Sequence, residues 1–318
     1  MPLARTLALL VVATLSAACV SGARAKSPAP AAASLPTPTP TPKIIEPPAP
    51  PPKKAELPRG GRTIFPTHRL VGYCGTPGGP ALGRLAGDLG ARAKEIEGYG
   101  EKYASGRKVL PVFELIAVVV QGLPGADNKW RRRVPDSVVD EYLKAARAAK
   151  AILLINVQPG HSDFMTEVRA FEKYLREPDV GVAMDPEWAM KPKQKPGVYY
   201  GQSNGKTVNE VATYLSGIVA AGDLPEKVLV VHQMNDWVFV DEASLAPSPG
   251  VVTVKSVDGL GPKAAKIATY SHLMKSLPSH VQPGFKLFFD EDTQKGSKLM
   301  TPTEVLALSP EPVYVMYE

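Results

Sequence analysis

Eight short apolar runs recur between residues 62 and 318, and amphipathic stretches separate them. This alternation limits the fold more than any other feature. The runs are 70–73, 109–113, 152–157, 180–184, 228–231, 251–254, 285–289 and 313–317. Continuous Val, Ile, Leu and Phe of this length suit parallel strands covered on both faces. The intervening segments carry helical spacing. Leu85, Leu89, Ala93 and Ile96 mark a helix over 83–103. Others are expected from Asp136, from Ser162 as a cap, and over 208–221, 263–277 and 301–308, the last opening Thr301-Pro302-Thr303-Glu304. The fifth connection, after Asp236, is irregular, with Pro247, Pro249 and Gly250. Alternating strands and helices of this number and length predict an α/β fold, a (β/α)8 TIM barrel whose chain ends at the eighth strand. A doubly wound open sheet is the alternative. Gly75, Gly78 and Gly79 lack the spacing of its dinucleotide fingerprint.

The first 61 residues have another character. Arg5 precedes an apolar stretch over 7–18, too short to span a bilayer, and Ala17-Ala18 supplies small residues before a cleavage point. Residues 1–18 therefore read as a signal peptide. Leu15-Ser16-Ala17-Ala18-Cys19 resembles the lipobox of bacterial lipoproteins, with Ser16 where Leu is usual. The resemblance implies acylation of Cys19 and an N-terminal lipid anchor on a membrane. Residues 19–61 read as a disordered linker, with twelve prolines between 27 and 58. Extended at about 3.1 Å per residue, those residues reach on the order of 100 Å. An exported protein held at a cell envelope is the expectation.

Charge follows the same division. The net +6 arises mostly in residues 1–61, which hold seven Lys/Arg and two Asp/Glu. The remainder carries 30 basic and 29 acidic residues, without the concentrated positive charge of a nucleic-acid-binding domain. Its one cysteine, Cys74, excludes an internal disulfide and a multi-cysteine metal site.

Active sites of this barrel lie at the C-terminal ends of the strands. Polar residues gather there: Glu114, Asn156 to Gln158, Asp185 and Glu187, His232 and Gln233, Asp236, Asp258, Asp290 to Asp292, and Glu318. Grouped carboxylates raise one another's pKa, which suits a general acid near neutrality. In Val182-Ala183-Met184-Asp185-Pro186-Glu187-Trp188, the two acids are two residues apart and would point the same way in a strand. Trp188, Trp237 and Tyr73 are candidates to stack on a sugar ring.

This heptapeptide resembles the strand-four Asp-x-Glu of barrel glycoside hydrolases such as family-18 chitinases and family-25 muramidases. The resemblance implies Glu187 as the acid and Asp185 as the residue that positions it or the substrate. The longer acidic chitinase signature is absent, with Gly181, Ala183 and Met184 in its place.

The expected function is a cell-envelope glycoside hydrolase acting on a carbohydrate, without a cofactor or metal. Glu187, Asp185, Asp290 and Glu318 are its candidate catalytic groups. Tyr73, Glu114, Trp188, His232, Gln233, Asp236, Trp237, Asp258 and Asp292 are its candidate substrate contacts. The alternative is a tethered, non-catalytic glycan-binding or structural barrel. A metal-dependent hydrolase using His161 and Asp163, or His232 and Asp236, lacks a recognisable ligand run. Cys74 reads as a core thiol. Arg131 to Arg133 and Lys191 to Lys195 read as basic loops that are solvated or meet an acidic glycan.

Overall fold

A computed structural model describes residues 54–318. Cys19, the signal segment and the linker before residue 54 lie outside the described residues. Eight parallel strands close on themselves: β1 (His68–Gly75), β2 (Lys108–Val120), β3 (Ile152–Val157), β4 (Val180–Met184), β5 (Lys227–Gln233), β6 (Val251–Val257), β7 (Gln282–Leu287) and β8 (Tyr314–Tyr317). Each pairs with the next, and β8 returns to β1 through Leu70 opposite Tyr314. The expected (β/α)8 barrel is therefore present.

Helices α1 (Leu89–Tyr103), α2 (Asp136–Ala148), α3 (Phe164–Arg169), α4 (Glu172–Leu175), α5 (Gly205–Gly222), α6 (Lys263–Leu273) and α7 (Pro302–Leu306) cover the outside. The fifth connection carries no α-helix among the described residues, only a two-residue strand, Phe239–Val240, and a 3-10 turn, Glu242–Ser244, in keeping with its prolines. Two helix starts shift for local reasons, and a third lies where the sequence places it. Asp88 caps α1, so that helix begins at Leu89 rather than 83. Asp163, not Ser162, caps α3 through the Thr166 amide at 2.8 Å. Thr301 and Glu304 complete a capping box on α7.

Strand alternation divides the apolar residues between two cores. Odd positions such as Tyr73, Phe113, Leu153 and Leu229 face the helices. Even positions such as Leu70, Val112, Leu154, Val228 and Met316 fill the barrel interior. That interior includes Leu57 and Ile64, which precede β1. The Ile64 amide donates to Glu226 at 2.7 Å, and Arg59 pairs with Glu97. The packed chain thus begins upstream of the residue-62 boundary read from composition. Leu57→Ala is expected to cost about 2–5 kcal/mol, as for a core leucine, whereas a linker residue would cost nothing. Urea denaturation at neutral pH distinguishes the two.

Candidate active site

Inside the barrel the inward series, even-numbered on every strand but β4, where it is odd, turns polar at the C-terminal end of each strand. Cys74, Glu114, Asn156, Asp185, His232, Ser256 and Asp258, Lys286 and Glu318 continue the inward positions of β1 to β8. Glu114 lies within β2, which runs on to Val120 instead of ending near Glu114 as expected. It is wholly buried and needs partners. Asn156 Nδ2 donates to it at 2.9 Å and the Tyr314 hydroxyl donates to its other oxygen. His232 Nε2 stands 3.0 Å away. The other nitrogen of His232 lies 2.8 Å from Asp258, which also accepts from Ser256 Oγ at 2.8 Å. Lys286 Nζ lies 3.4 Å from Asp258 and 2.5 Å from Glu318, and the Cys74 thiol donates to Glu318 at 3.1 Å.

Asp185 is the last inward position of its strand. It accepts from Asn156 at 3.0 Å and from Gln158 at 3.0 Å. Glu187 does not reach the site by strand alternation, because β4 stops at Met184. Pro186, which has no amide hydrogen to give a strand, opens a 3-10 turn over Pro186–Trp188. The turn swings Glu187 over the barrel end. Its backbone is pinned from two sides: the Gly201 amide donates to the Glu187 carbonyl at 2.5 Å, and the Gly160 amide to the Trp188 carbonyl at 2.9 Å. A Cβ at Gly201 would sit 2.1 Å from the Ala189 carbonyl oxygen, so that approach requires glycine.

Asp185 and Glu187 line one cavity of about 320 Å³ with Asp258, Lys286 and Glu318. The volume is at the lower end for small-molecule sites. Trp188, Tyr200 and Phe288 form apolar wall. Trp188 and Tyr200 lie 5.9 Å apart, and Tyr200 and the exposed Trp237 5.8 Å apart, so the rings form a chain leading outward.

The charges sort themselves by partner. Burial, and then the like charges of Asp185 and Asp258, push the Glu187 carboxyl well above the usual range. Its Oε2 is buried without a hydrogen-bond partner among the described residues. Burial also raises Asp185, although His232 and Lys286 oppose it. For Asp258 the same burial is outweighed by His232 and Lys286, and its pKa falls to about 2. Burial is likewise overcome at Glu114, held low by His232. His232 and Lys286 are drawn toward neutrality by burial, but the surrounding acidic groups hold both well above their ordinary values. The result is a carboxyl that holds its proton more tightly than usual in one cavity with a carboxylate that gives its proton up readily, a pairing that suits general acid catalysis.

Other expected site residues lie elsewhere. Tyr73 occupies an outward position of β1 and packs on Tyr99, Phe289 and Tyr317. Gln233 also points outward, donating to the Asn235 carbonyl at 3.1 Å. Asp236 is exposed and pairs with His272 at 2.8 Å. Asp292 is buried against Lys266 at 3.0 Å and accepts from the Phe288 amide. Asp290 is exposed in an adjoining groove that shares Glu318 with the cavity. His161 bonds the Gln194 carbonyl at 2.7 Å. Arg131 and Arg133 both grip the buried Glu167, at 2.8 and 2.7 Å. Among the described residues no group of His, Cys, Asp and Glu is arranged to hold a metal ion. Burial and Glu318 push the Cys74 thiol up, which keeps it protonated and unreactive.

Sequence reasoning missed Lys286, Tyr200 and Tyr314. A lysine inside the apolar run Phe285-Lys286-Leu287-Phe288 was the available signal for the first. Tyr200 arrives from a loop, without a pattern to mark it.

Removing His232 strands two buried carboxylates. His232→Ala is expected to lose about 3–5 kcal/mol of stability at pH 7, measured by urea denaturation. The pH dependence follows from the directions above. Asp258, lowered from 3.8 to about 2, contributes stability that is present above 3.8 and lost as pH falls toward 2. His232, raised from 6.5, contributes stability that is full below 6.5 and lost as pH climbs through its folded value. The variant should flatten both limbs of the stability profile.

No protein-family model matches this chain, and no curated protein matches its sequence. Among solved structures, it is similar to the crystal structure of a GH18 chitinase from Pseudoalteromonas aurantia. The two share 12% identity over 81% of this chain and 93% of that one, with a TM-score of 0.28. The barrel assignment stands on the closed ring of eight paired strands, independently of that likeness.

Proposed function

We propose that the protein is a glycoside hydrolase acting on a polysaccharide of the cell surface or wall. One observation carries the reading: Glu187, whose Oε2 is buried without a hydrogen-bond partner among the described residues and whose carboxyl burial pushes well above its ordinary pKa, lines an aromatic-walled cavity with Asp258, which His232 and Lys286 hold low. Glu187 gives its proton to the leaving glycosidic oxygen as the bond to the anomeric carbon breaks. Asp258 and the dipoles around Asp185 offset the positive charge that develops on the ring. Water then adds to the anomeric carbon and its proton passes to a carboxylate of the cavity, so one water is consumed and two hydroxyl-bearing ends form. The export signals read in the sequence support an envelope location for this activity, and Cys19 is the residue we propose as its lipid anchor.

One observation favours the alternative of a glycan-binding barrel without turnover. Glu114, Asp258 and Glu318 are all engaged by His232 or Lys286, which leaves fewer carboxylates at liberty to act as a base.

The test is release of reducing ends from a panel of envelope and plant polysaccharides. Glu187→Gln should lower kcat by about 10²–10⁴, the usual contribution of a general acid, while binding persists. Unchanged turnover in that variant would remove Glu187 from the mechanism. Binding without turnover by the native protein would establish the alternative. Glu187→Gln should also be more stable than the native protein, by roughly 0.5–2 kcal/mol. A raised carboxyl contributes stability below its unfolded pKa and loses it as pH rises, so the variant's advantage should grow from pH 5 to pH 8 in thermal melts.

A further inference from the structure

The reading above leaves the sugar unnamed, and the charge lining the cavity narrows it. We propose that the cavity takes a sugar ring bearing a protonated amine, a de-N-acetylated amino sugar, with its ammonium against Asp185. This rests on the glycan reading and specifies its substrate class.

Glu114, Asp185, Glu187, Asp258 and Glu318 share this end of the barrel with two cations, His232 and Lys286, so even with Glu187 protonated the carboxylates outnumber the cations once Asp185 ionises. Lys286 is already engaged by Asp258 and Glu318, at 3.4 and 2.5 Å, so it offers little to an anionic ligand. An anionic sugar would add a further negative charge in a region of low dielectric. A neutral sugar would leave the excess unbalanced. A cation offsets it.

Asp185 is the group best placed to receive that cation. Its two oxygens each take one amide hydrogen bond, from Asn156 and Gln158, and no cation lies in hydrogen-bonding contact with it among the described residues. The charged and titratable groups facing it are Glu114 of β2, Glu187 of the turn, His232 of β5, Asp258 beyond β6, Lys286 of β7 and Glu318 beyond β8. Burial, and then the Glu114 carboxyl, favour the protonated form of Asp185, and an incoming ammonium favours the ionised one. Ionised Asp185 then raises Glu187 further and keeps the acid loaded. The buried, unpartnered Glu187 Oε2 independently marks the cavity as one that awaits a ligand. Trp188 and Tyr200 supply ring faces favourable to a cation. Lys193 and Lys195 are exposed on the following loop, where salt screens them within about 8 Å.

The experiment is titration calorimetry of the native protein with four pentasaccharides: β-1,4-glucosamine, its N-acetylated form, cellopentaose and an oligogalacturonate. The glucosamine oligomer should bind at least tenfold tighter than either neutral one, with the oligogalacturonate weakest. Repeating it in two buffers of different ionisation enthalpy should show close to one proton released per glucosamine oligomer. Asp185→Asn should cut the preference to under twofold while cellopentaose binding is retained. Should that variant not fold, the proton release and the loss of preference at pH 4 decide the matter in the native protein. Neutral oligomers binding as tightly, or the acidic one binding best, would overturn this inference and leave the glycan reading standing. No binding by any oligomer would overturn both.

Discussion

Five carboxyl groups and two cations share the upper end of the barrel interior, and their mutual charge governs the site. Glu114, Asp185, Glu187, Asp258 and Glu318 cannot all ionise against His232 and Lys286 alone. The protons settle on the acids with the weakest cationic support. Asp258 touches both cations and remains an anion. Glu187 touches neither, and burial favours its protonated form. Two carboxyls of similar intrinsic acidity thereby acquire opposite roles, through position alone.

Position is in turn a product of strand alternation. One set of inward residues forms an apolar floor from Leu57, Ile64, Leu70 and Val228, and its continuation toward the strand ends supplies the polar ring. The floor holds the strands together and excludes water from below. The ring above gains strong electrostatics from the same low dielectric that makes it costly. The Pro186–Trp188 turn is the one departure from this scheme. It places an acid over the ring that no strand position could supply, and two backbone hydrogen bonds fix it there.

Much of this was written legibly in the chain. Strands buried on both faces leave unbroken apolar runs, so all eight were located, two of them over 152–157 and 180–184 to the residue. The same unbroken character hides which face is which. Tyr73 and Gln233 were therefore expected at the site although they point to the helices, while their neighbours Cys74 and His232 point in. Counting alternate positions back from each strand-end acid separates them, and would have found Lys286 two residues after Gly284. Acids in loops carried no such constraint. Asp236 and Asp292 found single basic partners away from the cavity, which loop sequence does not encode. Tyr200 reached the wall by the path of a loop, and only coordinates reveal that.

The chain has three tryptophans, and all stand on loops that leave the C-terminal ends of strands: Trp130 after β2, Trp188 after β4 and Trp237 after β5. None lies in the floor or among the helices. Intrinsic fluorescence of this domain is accordingly a report from the mouth alone. A molecule seated between Trp188 and Tyr200 changes the emission of an indole it covers, and no dye or label is needed to watch it arrive.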